Sequence, residues 1–204
     1  MTEIAAPSRE DIQYVRQLAE SGAHAPLLGG RFLAWWGFLL TVAYTIHHFA
    51  LQGALGDGKS IFATIWIGFA VLGLAGQLLL TRSMGAKSGS GSAGNRASRS
   101  VWAAAAFAIV SMVIGSAIAA RNGAGPATFD WIVPVAFAVY ACALIVTGSL
   151  ARDGVTRAAG AGAVIMVGLF TALILAPERY LLAAAGVFLT VLVPGLLLLR
   201  AEPR

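Results

Sequence analysis

Apolar residues run along this chain in long unbroken blocks, not in the stripes of a soluble helix or the alternation of a half-buried strand. From Phe32 to Gln52 there is no Asp, Glu, Lys or Arg. At about 1.5 Å per helical residue such a block crosses the ~30 Å hydrocarbon layer of a bilayer. Five further blocks follow, at residues 61–80, 101–120, 131–151, 158–176 and 180–199, and none holds an Asp, Glu, Lys or Arg. The pattern predicts an all-α, polytopic membrane protein with six transmembrane helices. Arg82, Arg152 and Arg200 close the second, fourth and sixth blocks, which suggests three antiparallel hairpins of similar build. The Ala176-Pro177-Glu178-Arg179 turn is short enough to make the last two blocks neighbours.

The first 30 residues are mixed in character and read as a cytosolic segment. Ser8 is placed to cap a helix over about 8–22, with Asp11 three residues on. Ile12, Val15, Leu18 and Ala19 form its apolar stripe, and Arg9, Glu10, Arg16 and Glu20 its polar face. The acids Glu3, Glu10, Asp11 and Glu20 do not fit the basic n-region of a secretory signal. Residues 31–80 then make a first transmembrane hairpin and 81–100 a flexible, Gly/Ser-rich basic linker. Residues 101–200 make a four-helix portion, and 201–204 a cytosolic tail.

Composition agrees with lipid as the solvent. The 204 residues are 58% hydrophobic and 11% charged, against about 25% charged in soluble domains. The net charge of +5 invites a nucleic-acid reading, but the placement of the charges argues against it. Of the 14 basic residues, all but Lys59, Arg121 and Arg179 fall on one side of the alternating connectors. By the positive-inside rule that side is cytoplasmic, so both termini lie in the cytoplasm of a bacterial cell, with the chain in its inner (plasma) membrane. The single Cys142 lies mid-span and permits no disulfide within one chain.

Candidate chemistry is sparse. His47 and His48 lie near the outer end of the first span. Adjacent helical side chains diverge by about 100°, so the two imidazoles do not readily share a metal. A bis-histidine haem needs ligands from two helices, and the third histidine, His24, precedes the first span. A haem or metal therefore needs an oligomer, and no cofactor is expected. Tyr44, Trp66 and Tyr140, with the histidines, are the candidate lining of a ligand cavity. Trp35, Trp36, Trp102, Trp131 and Tyr180 sit where interfacial anchors belong. Pro194-Gly195 is a candidate hinge, with a simple terminal kink as the plainer alternative. Small residues recur four apart, as at Gly115 and Ala119 and at Ala159 and Ala163. They suit close helix packing or a homo-oligomer face. No metalloprotease, nucleophile-elbow, paired-cysteine or phosphate-loop motif is present.

The architecture resembles, as a class only, that of small bacterial inner-membrane proteins, a resemblance that carries no residue-level function. The expected role is non-enzymatic: a membrane-embedded interaction or regulatory subunit, with membrane lipids around it and a protein partner at the cytosolic helix. A binder or carrier of a lipid or uncharged apolar solute within the bundle is the alternative. An outer-boundary haem or metal site in an oligomer is a third.

Overall fold

The structure, a computed structural model, describes residues 28–56, 58, 60–84 and 92–201, together with the isolated positions Arg9 and Gln13. Apart from those two positions, the expected amphipathic helix over 8–22 lies outside the described residues. Among the described residues the fold is all-helical, without strands. We number the helices α1 (Gly30–Leu51), α2 (Ser60–Met84), α3 (Ala93–Ala119), α4 (Ile132–Leu150), α5 (Gly154–Ala172), α6 (Arg179–Val187) and α7 (Val193–Ala201). A π-helical stretch, Phe188–Leu192, joins α6 to α7 in one rod.

Five helical segments are long and apolar enough to cross a membrane: Ser60–Ser83, Gly94–Ala124, Pro126–Leu150, Gly154–Ala172 and Arg179–Arg200. Helix α1 has the length, at 22 residues. Arg31, Trp35, Trp36, Tyr44, His47 and His48 hold it below the apolarity of those five. Large apolar side chains face outward along the segments, Leu79 at 65% and Phe107 at 75% exposure among them. Lipid solvates such side chains without penalty.

Helix boundaries follow local chemistry that the apolar blocks did not contain. Helix α3 begins at Ala93, well before residue 101, because the Ser92 side chain accepts from the Asn95 backbone N–H. Residues 93–100, expected as linker, are therefore helical. Helix α5 begins four residues early, where Asp153 accepts from the Thr156 N–H at 2.7 Å, and it ends correspondingly early. At the far end of α3, Gly123 (φ 97) and Gly125 (φ 76) take left-handed conformations that other residues rarely adopt. The following 3-10 turn, Pro126–Trp131, is tied back by reciprocal Ser116 and Thr128 hydrogen bonds of 3.1 and 3.2 Å.

The core is shared by α1, α4, α5 and the α6–α7 rod, through Leu40, Tyr44, Phe137, Leu144, Ala163, Phe170, Val187 and Val191. Most helices consecutive in sequence touch, α2 and α3 being the exception, but the most extensive pairings join α4 to α5 and α1 to the α6–α7 rod. Glycines set both. A Cβ on Gly37 meets the Leu192 backbone at 2.7 Å, and one on Gly195 meets Ala34 N at 2.4 Å. Likewise Gly148 abuts Arg157 N and Gly160 abuts Ile145. In lipid, where burial between helices gains little, such close backbone approach supplies the attraction.

Helices α2 and α3 stand at the two edges. Only 6% and 11% of their apolar windows is buried, against 50% for the α6–α7 rod. Helix α2 rests on α1 alone among its substantial contacts, and α3 on α4 with the turns between them. Trp36 and Trp35, expected as interfacial anchors, seat their rings on Gly73 and Gly76 of α2. Trp36 Nε1 donates to Gln77 Oε1 at 2.9 Å. An indole N–H inside a bundle needs such an acceptor, and Gln77 supplies it.

Candidate functional site: an aromatic and ionic cluster at the end of the first helix

Tyr44 and His47 are three residues apart on α1 and so share one face of the helix. That face meets α2 on one side and α6 on the other. Trp66 of α2 donates its indole N–H to His47 Nδ1 at 3.0 Å. An indole nitrogen can only donate, so this bond exists only while Nδ1 carries no proton. In the neutral ring the proton is then on Nε2. The imidazole lies over the Tyr180 ring of α6, with centroids 4.0 Å apart and planes tilted by 34°. Phe62 of α2 closes on it at 4.9 Å. Tyr44 lies edge-on to Trp66 at 5.4 Å and near Tyr180 at 6.0 Å.

The cluster has an ionic rim. The Tyr180 hydroxyl donates to Asp130 Oδ1, in the turn that leads into α4. Arg179 pairs with Asp130 Oδ2 at 3.4 Å, both side chains being mostly buried. Its guanidinium also lies 5.1 Å from the Tyr180 ring centroid. Four segments thus meet at one point: α1, α2, the entry to α4, and the start of α6. Phe170 of α5 touches the same tyrosine at 6.3 Å.

The sequence-expected residues divide. Tyr44, His47 and Trp66 come together and pack on each other. His48 turns away, is 3% exposed, and brings Nε2 within 3.0 Å of Gln52 Nε2, one turn on. Its Nδ1 is buried with no hydrogen-bond partner. Tyr140 pairs with Trp102 of α3 at 5.9 Å. Among the described residues no group of three or more His, Cys, Asp or Glu converges as metal ligands. Gly195 is wedged against α1, and the irregular turn of the last rod lies just before Pro194. That ring removes an N–H and crowds the carbonyl four residues back, which widens the turn to a π-helix.

Asp130, Arg179 and Tyr180 were not among the expected site residues. Their signal was present: an acid and a base, each at the start of an apolar block, on the same side of the connectors. What the sequence did not contain was their proximity.

Fold and cluster together define an all-helical chain with several membrane-competent helices, laced at one end by aromatic and ionic contacts. In comparisons with known proteins, no family model, curated protein or solved structure matches this chain.

Proposed function

We propose that this chain is a six-span protein of a bacterial inner membrane, with both termini cytoplasmic, which acts as a non-enzymatic interaction or regulatory subunit. The observation that carries the reading is the uneven division of the bundle. Four segments share one core, while α2 and α3 each hang from it by a single neighbour and are 6% and 11% buried. Edge helices held this lightly present two long apolar faces to whatever lies beside them. Supporting the orientation, one end of the bundle carries Arg31, Arg82, Arg96, Arg99, Arg152, Arg157 and Arg200, and the other carries Arg121 and Arg179 among the described residues. The expected cytosolic helix over 8–22 would add a second contact on the arginine-rich side.

The test is site-specific photocrosslinking in the native membrane, from probes at Leu78 in α2 and Phe107 in α3, both outward-facing at 61% and 75% exposure. The expected result is one discrete protein adduct whose yield falls when residues 1–22 are deleted. Lipid adducts alone at both positions would refute the interaction reading. A reporter fused after Gly56 is expected on the outer face, and its appearance in the cytoplasm would refute the orientation.

A further inference from the structure

Between α5 and the α6–α7 rod the surface opens into a groove of about 460 Å³. Residues 155–166 form one wall and residues 186–194 the other. The groove exists because Ala158 and Gly162 put almost no side chain on that face of α5. On the opposite wall the π-turn displaces the helix track beyond Gly186, whose own missing side chain makes room for Met166 and Phe137 and not for the groove. The lip is apolar and faces outward, with Ile165 at 62% and Leu189 at 63% exposure. The one hydroxyl in the lining, that of Thr190, is committed to the Gly186 carbonyl at 2.7 Å. A guest there meets a lining that is mostly hydrocarbon.

Length and charge narrow the guest further. Residues 155 and 166 are eleven apart, so the groove runs about 16 Å along α5 at ~1.5 Å per residue. Half of a ~30 Å hydrocarbon layer is about 15 Å, the depth of one leaflet. The groove therefore starts at the arginine-rich end of the bundle and stops near mid-membrane. Arg200 follows Val193 by seven residues, close to two helical turns, and so lies above the groove on the same face. It is exposed, as is Arg152 at the entry to α5. The acid at that entry, Asp153, is occupied in capping α5.

We propose that this groove holds one acyl chain of an anionic phospholipid from the leaflet at the arginine-rich end, with Arg200 and Arg152 receiving the headgroup phosphate. A guanidinium suits a phosphate because it offers paired donors in a planar fork. Basic positions between helices on the cytoplasmic side are a recurrent seat for such headgroups. The proposal uses a different face from the edge helices and does not depend on their role.

The full chain, in vesicles of phosphatidylcholine and phosphatidylglycerol, is irradiated with trace phosphatidylglycerol bearing a photoreactive acyl chain. Adducts are mapped by mass spectrometry. They are expected to concentrate on residues 155–166 and 186–194 over the outward faces of α2 and α3. Ala158→Phe, which fills the groove from one wall, is expected to lose these adducts and keep those on α2. Arg200→Gln is expected to lose the preference for a phosphatidylglycerol probe over a phosphatidylcholine probe. Even labelling of all outward faces would overturn the proposal, as would groove adducts that survive Ala158→Phe. Crosslinks between two copies at the groove would overturn it in favour of an oligomer face. Should Ala158→Phe fail to fold, Val155→Trp blocks the groove at its lip and is read by the same criteria.

Discussion

Replacing Gly195 by alanine tests how the first helix is held to the last rod. The added Cβ stands 2.4 Å from Ala34 N and 2.8 Å from Leu33 C, where ordinary contact begins at 3.4 Å. Both obstacles are backbone, so no rotamer change relieves them. The two rods must separate by roughly 1 Å, a gap that forfeits a quarter to a half of each dispersion contact along the seam. Overpacking of this kind costs about 1–3 kcal/mol, and the upper half of that range applies where backbone meets backbone. Alanine's better helix propensity returns up to about 1 kcal/mol, leaving a net loss of about 2 kcal/mol. Gly115 in α3 is the control, because a Cβ there meets nothing within 4 Å. Gly115→Ala is expected to stabilise by about 0.5–1 kcal/mol through propensity alone. The pair should then differ by about 3 kcal/mol, or two decades in the unfolding equilibrium constant. Reversible unfolding in mixed detergent micelles, followed by circular dichroism, measures this. Equal stability of the two variants would refute the glycine-mediated packing of α1 on the last rod.

Three further outcomes are expected. Trp36→Phe keeps a ring over Gly73 but loses the 2.9 Å bond to Gln77; a double-mutant cycle with Gln77→Leu should give a coupling of about 0.6 kcal/mol, the average for hydrogen bonds between membrane helices. A coupling indistinguishable from zero would mean the pair is not formed. Asp130→Asn removes the charge that Tyr180 and Arg179 share, and is expected to cost about 1–2 kcal/mol, below the full range for charged hydrogen bonds because the pair retains some solvent contact. Thermal melting of this variant beside Arg179→Gln and the double variant should show clear non-additivity, and simple additivity would contradict the ionic rim. Cys142 is exposed on the bundle surface, so in vesicles it should react with a lipid-soluble maleimide and resist a charged one. Rapid reaction with the charged reagent would mean that this face of α4 sees water, not lipid.

Much of the fold was legible because lipid imposes a simple rule. A backbone without water must satisfy itself, so long apolar blocks become helices, and each expected block carries one. Boundaries were less legible, since they depend on caps such as Ser92 and Asp153, whose signals lie in polar stretches that resemble linker. Of the candidate site, Tyr44, His47 and Trp66 were legible as residue types. Their mutual packing was not, nor was the divergence of His48, because helical rotation decides which of two adjacent histidines meets α2 and α6. The seating of Trp35 and Trp36 on Gly76 and Gly73 was not legible for a related reason: a tryptophan near a membrane boundary suits an interfacial anchor and a glycine-lined seam equally well.

The sequence by itself determined that this chain is helical, that its helices alternate with turns bearing arginine or lysine, and that opposite charges stand at the starts of two of its blocks. Those are properties of single segments facing a solvent, and each segment states them alone. Which four segments share a core, which two are left at the edges, and how Asp130 reaches Arg179 and Tyr180 across fifty residues were decided only in three dimensions. In lipid, apolar side chains give little reason to choose one helix neighbour over another. The choice falls to where a missing Cβ lets two backbones meet, as Gly37 and Gly195 do, and that is a property of pairs.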